Sequence, residues 1–221
     1  MDDEIQSLPK YDINCPFSRL LKSEKTEKAN VEVNIRGEWI GDRKYINEYF
    51  GFVTEVPVEW YLKKGTNDDF KYEAATEFLG SGDENLKALL KSSIEKNYTV
   101  FKASRHPLGT PGKTNPNVAM MVENIGDFPG IKSAKDYLFV MEDTLKMTNK
   151  KFSFAPDVTK VDLGGVEFWM RESSFTLGAT EVHSKDYAKM RDNYILVFVV
   201  TTISEDDENT VSELIRTIKI N

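Results

Sequence analysis

The apolar positions of the chain fall into short period-two runs separated by turn residues, with a few longer stretches at helical spacing. Val31, Val33 and Ile35 alternate with polar residues, and Gly41-Asp42 supplies a turn. Phe50, Phe52, Thr54 and Val56 share one face of a half-buried strand. Pro57 ends it, because proline has no N–H for a ladder, and Trp60 follows as a cover for the core edge. Tyr98–Ser104, Val118–Val122 and Phe152–Val161 read as further extended segments. Asp162-Leu-Gly-Gly165 is a turn. After it Val166, Phe168 and Met170 alternate with Glu167, Trp169 and Arg171, which predicts a strand with one wet face. Tyr187–Arg191 and Tyr194–Thr202 form a hairpin across Asp192-Asn193, two residues that tolerate left-handed backbone. The second arm is apolar on both faces and is therefore predicted to be central, with helices covering both sides.

Three helices are predicted. The first spans 83–96, with Leu86, Leu89, Leu90 and Ile94 on one face. The second runs from Ser133 to Met147 and opens on Ser133-Ala-Lys-Asp136, a capping box with Asp in place of Glu. The third begins at Ser204, carries Glu205 to Glu208 at its positive end, and turns Val211, Leu214, Ile215 and Ile218 inward. Residues 63–82 are rich in Lys, Gly and Asp and read as a mobile excursion, and 106–117 as a proline-rich loop. Residues 1–30 are polar and read as a tail or linker. The expected architecture is one α+β domain over 31–221. Its central antiparallel sheet is flanked by helices on both faces, an α/β/α sandwich.

Charge and composition narrow the partners. A net charge of −7 and a pI near 5.1 disfavour nucleic acid, whose phosphates an acidic surface repels. Cys15 is the only cysteine, so no internal disulfide forms, and no histidine lies near it in sequence to activate it as a nucleophile. The longest apolar run, Ile195–Val200, is far shorter than the about 18 residues of a membrane span. Met1 is followed by Asp2, Asp3 and Glu4, unlike a secretory leader. The expectation is a protein that stays where it is made or one whose leader has been removed.

The candidate chemistry is thin. Pro107-Leu-Gly-Thr-Pro-Gly-Lys-Thr114 resembles a phosphate-binding loop, but Pro107 replaces the first glycine, Pro111 removes an N–H, and Asn115-Pro116 follows where a helix should begin. Glu205-Asp-Asp-Glu208 lacks the alternating ligands of a calcium loop and is explained by the helix dipole. Asp68, Asp69 and Glu73 have no evident partner, and His106 with His183 makes at most half of a zinc site. No Gly-x-Ser-x-Gly elbow is present. Trp169, between Glu167 and Arg171, is either a binding contact or a residue under a helix; Trp39 and Trp60 are the other tryptophans. No catalytic, cofactor-binding or metal-binding residue is assigned, no cofactor is implied, and the ligand-binding residues are unknown.

The order of landmarks resembles PsbP-like domains, including DcrB-like proteins. Tyr45-x-Asn47, Gly51-Phe52 and Pro57-x-x-Trp60 look like their opening. Pro116-Asn117 begins a middle strand, and Asp136-Tyr137 lies in a central helix. Leu163-Gly-Gly165 precedes a strand, and Tyr187 and Tyr194 lie on a hairpin that leads to a last helix ending at Ile218-Lys219. The resemblance covers about residues 37–221. It is most similar to uncharacterised bacterial lipoproteins of that type, which are tethered by a lipidated N-terminal cysteine. Cys15 follows Asp12-Ile-Asn14 without an apolar leader and does not fit that role. The resemblance implies a non-enzymatic binding or accessory domain, extracytoplasmic in a bacterium, whose ligand is a protein or a small molecule. The alternatives are a cytosolic chaperone or adaptor, and a hydrolase, which would need a deep pocket lined by perturbed ionisable groups.

Overall fold

The computed structural model describes residues 34–65, 84, 97–107, 110, 111, 114–148 and 150–221. In chain order the elements are β1 (Glu38–Ile40), β2 (Lys44–Asn47), β3 (Phe52–Glu55), β4 (Tyr61–Lys64), β5 (Asn97–Ser104), β6 (Asn117–Asn124) and α1 (Ala134–Lys146). There follow β7 (Phe152–Phe154), β8 (Thr159–Leu163), β9 (Val166–Leu177), β10 (Thr180–Arg191), β11 (Tyr194–Thr202), α2 (Glu205–Ile215) and β12 (Lys219–Ile220). Every strand pairing is antiparallel. An eight-stranded sheet runs β4-β5-β6-β11-β10-β9-β7, with β8 also pairing β9, and a four-stranded sheet runs β1-β2-β3-β12.

The central place of β11 follows from its composition. Leu196, Phe198 and Val200 point to one core, Ile195 and Val197 to the other, and all five are buried. The predicted hairpin forms with Arg191 opposite Tyr194, and Asp192 takes the left-handed backbone at φ 50°.

Helical cover on both faces is not what the chain builds, and the α/β/α expectation is overturned. One face carries α1, whose Tyr137 and Leu138 meet Ile195, Val197 and Ala188. The other face is covered by the second sheet, with α2 beside it. Tyr45, Phe50 and Phe52 from the small sheet pack on Phe168, Leu196 and Phe198, and the Phe52 and Phe198 rings lie 5.9 Å apart, edge to face. The physical reason lies in the segment read as one strand over 50–56. Residues 48–51 turn back, β2 and β3 pair as a hairpin, and the returning C-terminus adds β12 against Val53 and Phe52. An apolar sheet face needs an apolar cover of either kind. The helix expected over 83–96 lies outside the described residues except for Glu84, and so does most of the excursion expected over 63–82. Lys63 and Lys64 belong to β4 instead.

Caps place the two described helices. The Ser133 side chain accepts from the Asp136 N–H, and the Asp136 carboxylate accepts from the Lys132 N–H, one residue further back than a capping box reaches. Ser204 caps α2 by accepting from the Asp207 N–H, while Asp207 accepts from the Ile203 N–H. Each such cap stabilises by about 1 kcal/mol. At the β8–β9 turn Gly164 has φ +61°, and a Cβ there would stand 2.0 Å from the Ile218 carbonyl oxygen. The turn fits against the segment leading into β12 only because Gly164 has no side chain.

Candidate binding surfaces

The strand face expected to be wet is exposed at Glu167 but covered from Trp169 to Ser173. Arg171 and Ser173 of β9 are buried, and Trp169 is half-buried. Arg171 pairs with Glu142, a buried residue of α1, and its guanidinium lies 5.5 Å from both the Phe139 and Phe154 rings. Its Nε and Nη1 have no hydrogen-bond partner among the described residues. Lys146, one turn on, shares Glu142. Trp169 sits under the helix, with Lys135 at 5.3 Å and Lys160 at 5.2 Å from its ring, so its reading resolves to a covered residue.

Two more acids lie beneath α1. Tyr137 donates to Glu123 at 2.6 Å, and burial together with that carboxylate pushes the Tyr137 phenol far up. Asp186 is buried and accepts from Ser184 at 3.0 Å; burial outweighs that hydrogen bond and raises its carboxyl to about 6. These groups are interior, with Asp186 and Glu123 each under a tenth exposed.

Beyond α1 the same side of the sheet carries a strip of phenylalanines that belongs to neither core. Phe152 and Phe154 stack at 6.0 Å on β7, Phe175 of β9 stands 5.0 Å from Phe152, and the Arg171 guanidinium bridges Phe154 to Phe139. Phe139, Met147 and Leu177 are exposed large apolar residues at its margin. Strand β7 is the last of its sheet on that side among the described residues.

On the opposite face a cleft of about 210 Å³ opens between α2 and the outer part of β10 and β11. Val200, Val211 and Ile215 are its apolar lining, and Lys185, Tyr187, Glu208 and Arg216 its polar one. Lys185 donates to Glu208 at 3.1 Å and lies 3.6 Å from Glu172. Desolvation pulls the Lys185 ammonium down, but the hydrogen bond and charge of Glu208, joined by Glu172, raise it overall. Burial raises the Tyr187 phenol, with Lys185 opposing and Glu172 and Glu208 adding to it. Both groups therefore hold their protons at neutral pH and supply neither base nor nucleophile.

The residues singled out in the sequence are not brought together. Thr114, the last residue of the phosphate-loop resemblance, donates to the Asp207 carboxylate at 2.9 Å, so an acid stands where a phosphate would need donors. In the acidic run Asp207 caps α2 and Glu208 holds Lys185. His106 follows β5 and His183 lies on β10, strands separated in the sheet by β6 and β11. Among the described residues no group of three or more His, Cys, Asp or Glu side chains could hold a metal. Trp39 lies half-buried under Lys64, 4.6 Å from its ring, and Trp60 is buried in the larger core. Cys15, Asp68, Asp69 and Glu73 lie outside the described residues. Sequence reasoning passed over Glu142 and Arg171. The signal was present: Glu142 falls on the stripe Ala134, Tyr137, Leu138, at the spacing of the buried face of α1.

No family model and no curated protein matches the chain. Among solved structures it is similar to the cyanobacterial PsbP of Synechocystis sp. PCC 6803, at 13% identity over 88% of this chain and 98% of that one, with a TM-score of 0.43. It is also similar to LpqN, involved in cell envelope biogenesis of Mycobacterium tuberculosis, at 14% identity, 77% and 83% coverage and a TM-score of 0.42. A protein from Bacteroides thetaiotaomicron matches at 11% identity and a TM-score of 0.41, covering 82% of this chain and 49% of that one. The family that the sequence landmarks resemble is thus represented among the structures the chain matches.

Proposed function

We propose that the protein is a non-enzymatic accessory domain that docks a protein partner through the phenylalanine strip beside β7. The observation that carries this reading is the strip itself. Phe152 and Phe154, half-buried, and the exposed Phe139, joined to Phe154 through the Arg171 guanidinium, lie outside both cores beside the last strand of the sheet among the described residues. Aromatic side chains lose little conformational entropy on docking and dominate the energetics of protein interfaces. The buried Arg171–Glu142 pair fixes the base of the strip, so its shape is preorganised. A binding role also agrees with the protonation of the α2 cleft, where Lys185 and Tyr187 are held in unreactive forms. The hydrolase alternative has no such support.

The wider setting rests on the sequence resemblance. Residues 31–221 act as one domain carried on the 1–30 tail, in an extracytoplasmic bacterial location. No helix among the described residues is long and apolar enough to cross a membrane. A photo-crosslinking residue placed at Phe139, and in parallel at Glu213 on α2, tests the docking face in extracts of the source cells. The reading expects a discrete adduct from position 139 and none from 213. Equal labelling at both positions, or none at 139, contradicts it.

A further inference from the structure

The cleft beside α2 lies on the other face of the sheet from the strip, and its chemistry points to a different occupant. On α2 the residues Glu208, Val211, Ser212, Ile215 and Arg216 fall at i, i+3, i+4, i+7 and i+8, so one face of the helix overhangs β10 and β11. Val200, Val211 and Ile215 give the cleft an apolar wall. Its one carboxylate, Glu208, is already engaged by Lys185 at 3.1 Å. Ser212 is satisfied by donating to the Glu208 carbonyl at 2.8 Å. What remains are donors: the Tyr187 and Thr202 hydroxyls and the Arg216 guanidinium have no hydrogen-bond or ion-pair partner among the described residues. A cleft with spent acceptors, free donors and a dry wall selects a ligand that brings acceptors at one end and hydrocarbon at the other.

We propose that this cleft binds a small carboxylate with a short apolar body. The carboxylate meets the planar fork of Arg216, whose geometry suits two parallel hydrogen bonds, and the Tyr187 or Thr202 hydroxyl adds a third. The apolar body lies against Val200, Val211 and Ile215. A volume of about 210 Å³ equals roughly seven water volumes, which limits the ligand to a fragment-sized molecule. An inorganic phosphate is the poorer fit, because it leaves the apolar wall uncovered and brings a second negative charge towards Glu208. The carbonyl end of α2 opposes an anion near Arg216, so the affinity is modest.

The test is a calorimetric or ligand-observed NMR titration of the full chain with hexanoate, set beside hexanamide and inorganic phosphate. The expected result is saturable hexanoate binding, with hexanamide weaker by about tenfold or more, as the loss of a charge-assisted contact implies. Arg216 is exposed, so Arg216→Ala keeps the fold and weakens hexanoate by a similar factor. Tyr187→Phe, which removes only a hydroxyl, weakens it a few-fold. Glu208→Gln releases Lys185 to the ligand and tightens it. Absence of saturable hexanoate binding, equal binding of hexanamide, or indifference to Arg216→Ala overturns the proposal. Phosphate binding as tight as hexanoate overturns it in favour of a plain anion site. None of these outcomes depends on the partner that the strip engages.

Discussion

The two faces of the eight-stranded sheet are built by different rules. Under the second sheet the packing is aromatic and aliphatic: Phe52, Phe101, Phe168 and Phe198 are fully buried, with Phe52 and Phe168 edge to face on Phe198 and Phe101 edge to face with Trp39. Under α1 the apolar cluster is smaller and shares its space with Glu123, Glu142, Arg171 and Asp186, all buried. Apolar contact is non-directional and supplies most of the free energy of folding. Buried charge pairs add little net stability but tolerate only one arrangement of their partners. The first face therefore holds the fold together, while the second fixes where α1 and the phenylalanine strip sit.

Substitutions that break this contrast come first. Phe198→Ala empties the larger core and is expected to cost about 4 kcal/mol in urea unfolding. Arg171→Met leaves the buried Glu142 with only the half-exposed Lys146 as counter-ion, at a cost of about 3 kcal/mol, and adding Glu142→Leu recovers most of that loss. A double mutant that stays as unstable as the single one would show that the pair contributes through packing alone.

The acid beneath α1 gives a pH signature. Its folded-state value of about 6 lies above the ordinary 3.8, so the folded protein holds this proton more tightly than the unfolded chain. The resulting stability is complete below about pH 4 and is lost as the pH rises through about 6, by an amount on the order of 3 kcal/mol. Asp186→Asn removes that slope, which is read as the difference between the two proteins' melting curves from pH 4 to 8. An unchanged slope would locate the titration elsewhere. Gly164→Ala forces a side chain into a left-handed position against the Ile218 carbonyl and is expected to cost about 2 kcal/mol. Phe139→Ser, on the exposed margin of the strip, is expected to change stability by no more than about 0.5 kcal/mol.

Much of this division was legible in residue patterns, and the losses have specific causes. The run from Ile195 to Val200 announces a strand covered on both sides, because both its faces are apolar. It does not say what covers it. That depends on Lys219 and Ile220 pairing with Val53 and Phe52, a contact between distant parts of the chain that no local period encodes. Alternation in β9 placed Arg171 on a wet face, since a lone arginine reads as solvated. Its counter-ion is on α1, and only the position of Glu142 on the helix's buried stripe hinted at it. The caps at Ser133 and Ser204 were readable because capping is local. The strip was not, because Phe152, Phe154 and Phe175 alternate like core residues, and only the fold leaves them half-buried outside both cores.

The contrast between the faces is tested most directly by urea unfolding of two double variants, Phe52→Ser/Phe198→Ser and Phe139→Ser/Phe152→Ser. The account predicts that the first does not fold, while the second loses no more than about 1 kcal/mol, as expected for side chains outside both cores. Comparable losses in the two would contradict it and return the phenylalanine strip to the core.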